Sequence, residues 1–170
     1  MMKMLKFIGM IVIISAATFT GCYFSAALKK RLITLKKLNY MLEEILIVLR
    51  YKSATVYEIA ETLARDERFS EFDFLGNIKP DGDIPFQQSW CKAVYGSSLC
   101  GMKKSDIELI ADIGKKLGTS DLDGQISTVM LQRSELEAAI ASAEEEYSKK
   151  AKLYRSLGAL TGAFVAIMLV

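Results

Sequence analysis

Apolar positions change their rhythm along this chain. From Phe7 to Leu28 there is no Lys, Arg, Asp or Glu, and from Ser156 to Val170 there is again none. Between these uniform runs the pattern becomes periodic. Leu28, Leu32, Leu35, Leu38 or Asn39, Leu42, Ile45 and Leu49 recur at intervals of three and four. No proline or glycine interrupts them, so the first apolar run is expected to continue as one helix into the middle of the chain. Leu122, Ile126, Val129, Arg133, Leu136, Ile140, Ala143 and Tyr147 step in the same way. A long last helix is therefore expected to run into the second uncharged segment.

Shorter elements lie between these two. Arg50 to Ala54 suits a turn, and Thr55 to Asp66 reads as a helix with Val56, Ile59, Ala60 and Leu63 on one face. The aromatic stretch from Glu67 to Ile78 is expected to form a short helix, before Lys79-Pro80-Asp81-Gly82-Asp83 breaks the chain. Asp83 is a candidate cap for the next helix, with Pro85 near its first turn and Phe86, Trp90 and Val94 on its buried face. Ser105 and Glu108 have capping-box spacing. The helix they open would bury Ile107, Ile110, Ala111, Ile113 and Leu117 and end at Gly118. No segment reads as a strand. The expected class is all-α: an antiparallel helical bundle whose long first and last helices continue into transmembrane segments.

The uncharged ends carry the topology. As a helix, residues 7–28 would span about 33 Å, enough for a bilayer core, whereas residues 156–170 would span about 22 Å, which is short for one. Basic residues flank both on the inner side: Lys29, Lys30, Arg31, Lys36 and Lys37, then Lys149, Lys150, Lys152 and Arg155. Because lysine and arginine resist translocation, residues 29–155 are expected to form a cytoplasmic domain between two anchors. Ala17, Gly21 and Ser25, and likewise Gly158, Gly162 and Ala166, offer small faces for helix pairing within or between chains. A rival reading takes Lys3, Lys6 and Phe19-Thr20-Gly21-Cys22 as a lipoprotein signal. Phe19 suits such a box poorly, and the apolar run continues past Cys22.

Charge and composition narrow the chemistry. All 20 acidic residues fall between Glu43 and Glu146 against 11 basic ones, a net of −9, although the whole chain is +2. That balance disfavours a nucleic-acid surface, which needs clustered cations. The chain has no histidine. Ser–His and Cys–His nucleophilic chemistry is therefore closed to it. Cys91 and Cys100 lack the second pair of a zinc site, and there is no phosphate-binding glycine loop. Acid runs such as Glu144-Glu145-Glu146 read as solvated helix faces. The expectation is a non-enzymatic protein with no cofactor and no metal.

Several stretches resemble the stage III sporulation protein AB family of endospore-forming bacteria. Leu117-Gly118-Thr119-Ser120-Asp121, followed by Gly124-Gln125, resembles the family's Leu-Gly-x-Ser-Asp pattern and its following glutamine. Tyr154-Arg155-Ser156-Leu157-Gly158 with Gly162 is similar to the start of its last membrane helix, and Trp90 to a tryptophan after its central loop. Tyr51 to Ile59 is similar to a Tyr-x-x-Thr-Pro-Leu-x-Glu-Ala stretch that retains Glu58, although Thr55 stands in place of the proline. Ile47-Val48 stands where acids are often found.

The resemblance implies a platform subunit of the transenvelope channel between mother cell and forespore. It is similar to the inner-membrane platform protein of type II secretion and type IV pilus machines. Its implied partners are the secretion-type ATPase known as stage III sporulation protein AA, other stage III channel proteins, membrane lipid and, as an alternative to pairing within one chain, further copies of itself. The implied location is the mother-cell membrane facing the forespore. A reading from another class is a membrane-tethered sensor or adaptor that binds a cytoplasmic regulator.

Overall fold

The computed structural model describes residues 2–52, 54–79, 84–99 and 101–168; toward both helical ends some side chains lie outside that description. The described residues form helices and turns, with no strand among them. Helix α1 runs without a break from Met2 to Lys52, past the turn expected at Arg50. It is followed by α2 (Val56–Arg65), α3 (Phe86–Gly96), α4 (Lys104–Lys116) and α5 (Leu122–Met168). Neither long element contains a proline, and their glycines are isolated, so nothing in the sequence breaks the backbone ladder.

Residues Glu67 to Ile78 depart from the expected short helix. They make two 3-10 turns, Glu67–Phe69 and Asp73–Asn77. Successive three-residue bonds join them, from the Phe72 amide to Phe69 O at 2.9 Å and from the Leu75 amide to Phe72 O at 3.0 Å. This tighter winding buries Phe69, Phe72, Phe74 and Leu75. A straight helix places only one stripe inward, so the aromatic content favours the irregular path.

Two helix starts also differ from the sequence expectation. Pro85 occupies the N-cap position of α3, and Asp83 lies outside the described residues. Helix α4 begins at Lys104, earlier than Ser105 and Glu108 would place it. There the Lys103 amide donates to the Asp106 carboxylate at 2.9 Å, and Asp106 is only 3% exposed. A buried carboxylate needs donors, so the register that supplies Asp106 with a backbone amide prevails.

The chain divides into two compact units, Met1–Leu32 with Ala141–Val170, and Ile33–Ile140. In the second, Leu35, Leu38, Met41, Leu42, Ile45 and Leu49 of α1 are buried, as are Ile59 and Leu63 of α2 and Ile110 and Ile113 of α4. Each such side chain contributes about 1.5–3 kcal/mol by leaving water. From α5 this core takes Val129, Gln132 and Leu136. Gln132, not Arg133, holds the inward position; Arg133 sits at the rim and pairs with Glu43 at 2.5 Å. Leu122, expected on the buried stripe, is 44% exposed.

In the first unit α1 and α5 pack backbone to backbone. A Cβ on Gly21 would overlap the Tyr154 carbonyl, and one on Gly158 would lie 2.8 Å from the Ala17 carbonyl. Phe24 packs on Tyr154 with ring centroids 5.7 Å apart. Buried Arg31 pairs with Glu146 at 3.2 Å, and Lys150 reaches the same carboxylate at 2.9 Å. The helix pairing left open by the sequence is thus formed within one chain at Gly21 and Gly158.

Among the described residues no helix is long and apolar enough to cross a membrane. The spans expected at 7–28 and 156–170 are not reproduced within that set. Much of their apolar content, including Phe7, Ile8, Met10, Ile13 and the residues from Val165 onward, has side chains outside the description.

Candidate functional site

The motif residues gather chiefly at the junction of α4 and α5. Leu117 caps α4 in extended conformation, and Gly118 follows with φ +74°, a left-handed geometry that glycine adopts without a Cβ penalty. Close packing adds a second reason for glycine here, since a Cβ would stand 2.9 Å from Val56 Cγ1 at the start of α2.

Gln125, one turn into α5, folds back over this bend. Its Oε1 accepts the Gly118 amide at 3.1 Å, while its Nε2 donates to Ser120 O at 3.0 Å. Asp121 starts α5 in two ways. Its carboxylate accepts the Gly124 amide at 3.2 Å, and its carbonyl accepts the Gln125 amide at 2.9 Å. A helix start left without such partners would expose unpaired amides.

Gln87 of α3 donates to the Leu117 carbonyl at 2.7 Å, tying a third helix to the bend. One turn along α3, Trp90 is 1% exposed, and its indole N–H donates to Ile110 O at 2.9 Å. Phe74 and Phe86 pack on it with ring centroids 5.3 and 5.7 Å away. Gly114 forms its seat, because a Cβ at that position would overlap the indole.

Thr55 is the N-cap of α2, and Glu58 is its partner three residues on in a capping box. The Glu58 carboxylate accepts the Thr55 amide at 2.7 Å, and the Glu58 amide donates to Thr55 Oγ1 at 3.3 Å. These bonds with Thr55, the backbone amide foremost, hold the Glu58 carboxyl below its ordinary 4.5. Glu145 is lowered likewise by the Lys149 ammonium.

The structure therefore brings Leu117, Gly118, Asp121 and Gln125 into one bonded turn, with the start of α2 and Gln87 against it. Tyr154 and Gly158 belong to the other unit, where they form the helix crossing. Arg155 and Gly162 lie within α5, and their surroundings fall outside the description. Sequence reasoning did not find Gln87, Gly114 or the pairing of Thr55 with Glu58. Only the last had a readable signal, since Thr-x-x-Glu is a capping-box spacing.

The chemistry available at this turn is structural. Its polar groups are spent on helix ends and on one another. No group of three or more His, Cys, Asp or Glu among the described residues could hold a metal ion. Cys91 is half-buried, with its thiol 3.8 Å from Ala111 O.

Comparison with known proteins follows the same residues. A family model described as stage III sporulation protein AB matches residues 6–170. The chain is similar to stage III sporulation protein AB of Bacillus subtilis (strain 168), with 27% identity over 173 residues, 98% of this chain and 99% of the relative. No solved structure matches it. The chain belongs to the stage III sporulation protein AB family, and its role is in sporulation.

Proposed function

We propose that this protein is a non-enzymatic, membrane-anchored platform subunit of the sporulation channel between mother cell and forespore. Its helical domain lies in the cytoplasm of the mother cell and couples a secretion-type ATPase, of the kind called stage III sporulation protein AA, to the other channel proteins. The observation that carries the anchoring is the inverted character of the two-helix unit. Its inner contact is made by glycine and backbone, while Phe19, Leu160 and Phe164 turn outward at 75%, 66% and 64% exposure. In water such a surface would be unfavourable; in lipid it is the ordinary arrangement. The uncharged runs and their basic collars support the same reading.

Docking of the ATPase is assigned to the acidic surface of the helical domain, where Glu67, Asp73 and Glu135 are exposed. Two measurements on sporulating cells test this. Carbonate extraction of membranes should leave the full-length protein in the pellet. Co-purification with the ATPase should be lost in a Glu67→Lys, Asp73→Lys, Glu135→Lys variant. Release by carbonate would remove the anchoring, and unchanged ATPase capture together with normal spore yield would remove the docking.

A further inference from the structure

Within the Ile33–Ile140 unit most of α1 is covered: Leu35, Leu38, Leu42, Ile45 and Leu49 are all buried. One narrow strip of the helix stays in solvent, and it is apolar. Ile33, Tyr40 and Ile47 follow one another at seven-residue intervals, Tyr51 continues the line one turn on, and the four are between 43% and 82% exposed. Arg50 Nη2 lies 3.9 Å from Met130 Sδ, which places exposed Met130 of α5 beside the far end of the strip. Elsewhere in this unit only Tyr95, Leu122 and Leu131 are comparably exposed among the described large apolar side chains. Ion pairs rim the strip: Lys37 with Glu71, and Arg68 with Glu44 and Asp66, toward the 3-10 segment, then Arg133 with Glu43 and Glu137 toward α5. An apolar line about 27 Å long inside a charged rim has the layout of a protein interface.

We propose that this strip receives an amphipathic helix of a partner protein, with a basic residue against Glu43 and Glu44 and an acidic one against Arg50. Seven-residue spacing is what a second helix meets when it lies along the first at a shallow angle. Charge along the strip is uneven and sets the chemistry of the occupant. Near the middle four carboxylates, Glu43, Glu44, Asp66 and Glu137, share two arginines, which leaves acid in excess. Arg50 contacts Met130 and makes no ion pair with any described residue, and Lys52 and Ser53 after it bring no acid. A second copy of the chain does not fit. Two copies anchored in one bilayer through residues 7–28 would direct α1 the same way, and Glu43, Glu44 and Arg50 would each meet their own kind. That exclusion rests on the anchoring proposed above; the strip and its charges do not, and neither depends on whether the chain couples an ATPase.

The test uses the full-length protein in detergent and fluorescein-labelled helical peptides of about 21 residues, long enough for the strip, followed by anisotropy against empty micelles. Each peptide is built on alanine and glutamine with leucine at seven-residue spacing. Beside the leucines the mixed peptide carries lysine in one half and glutamate in the other, and two controls carry only lysine or only glutamate. The mixed peptide should bind severalfold tighter than either control. Ile47→Glu should weaken it about tenfold or more. Tyr51→Ser, at the most exposed position of the strip, reports a loss in the same direction if Ile47→Glu disturbs the far-UV circular dichroism. Tyr95→Glu, on α3, should leave binding unchanged. Arg50→Glu should weaken the mixed peptide and strengthen the all-lysine one, an exchange that loss of folding does not produce. The proposal fails if the three peptides bind alike, if Tyr95→Glu matches Ile47→Glu, or if Arg50→Glu leaves the order of the peptides unchanged. It also fails if the protein alone sediments as a dimer that Ile47→Glu dissolves, since the occupant is then a second copy. Release of the protein by carbonate would remove the anchoring and leave the peptide outcomes standing.

Discussion

At the scale of single residues the fold turns on a match of shapes between Trp90 and Gly114. The indole is buried and bonded to the Ile110 carbonyl, and it occupies the space where any other residue at 114 would place its Cβ. Overpacking of this kind costs about 1–3 kcal/mol, because the ring must leave its rotamer or α3 must move from α4. Gly114→Ala should therefore lower stability by about that amount and shift the emission of the chain's single tryptophan to the red. Denaturant unfolding and fluorescence measure both; native emission with unchanged stability would show that the seat has slack. Periodicity in the sequence placed Trp90 inside, but the role of Gly114 depends on a neighbour in another helix and no local pattern encodes it. The same reason explains the exchange of Gln132 for Arg133. Both positions suit a step of three or four, and the choice falls to the carboxylate of Glu43, which holds Arg133 at the rim. Gln132 is left 1% exposed, and neither of its amide atoms has a hydrogen-bond partner among the described residues.

Among elements, helix length was legible and helix starts were less so. Proline is absent from α1 and α5 and glycine from long stretches of both, so nothing there interrupts the helix that their buried faces stabilise. A start depends on which of several nearby polar residues finds an amide. Ser105 with Glu108 has the spacing of a reciprocal cap, whereas at Lys103 and Asp106 only one bond is possible, from the Lys103 amide to the Asp106 carboxylate, and the observed start is the one that satisfies this buried carboxylate. At α2 the reciprocal pair is Thr55 with Glu58, and it carries a pH dependence. The Glu58 carboxyl is held below 4.5 in the folded chain by bonds from Thr55. A depressed carboxyl contributes stability at pH above its unfolded value, and the contribution disappears as pH falls through the folded value. Glu58→Gln keeps an acceptor for the Thr55 amide but does not titrate. Wild type should thus lose more stability than the variant as pH drops through and below 4.5, and the two curves should run parallel above pH 6 or so. Denaturant midpoints across that range decide it; parallel curves at every pH would mean that the cap bonds do not survive in solution.

At the scale of the whole molecule, two units rest on opposite packing rules. Residues 33–140 bury leucine, phenylalanine and tryptophan, as a water-facing domain does. The unit made by the two ends of the chain puts Gly21 and Gly158 against backbone and turns its large apolar side chains outward. The sequence revealed the small residues at four-residue spacing but did not say which faces meet, because a glycine stripe serves pairing within a chain as well as between chains. The structure pairs Gly21 with Tyr154 and Gly158, which makes a specific perturbation possible. Gly21→Leu would force a side chain into the Tyr154 carbonyl and cost about 1–3 kcal/mol of close approach. Thr20 and Thr161 line the same groove beside the crossing. With cysteines at those two positions and Cys22, Cys91 and Cys100 replaced by serine to remove the three native thiols, a short bis-maleimide should crosslink them efficiently within one chain. Adding Gly21→Leu should reduce that yield severalfold, while Gly9→Leu, at a glycine with nothing within 4 Å, should leave it unchanged. Crosslinks that form only between chains, or a yield indifferent to Gly21→Leu, would show that the stripe pairs separate molecules.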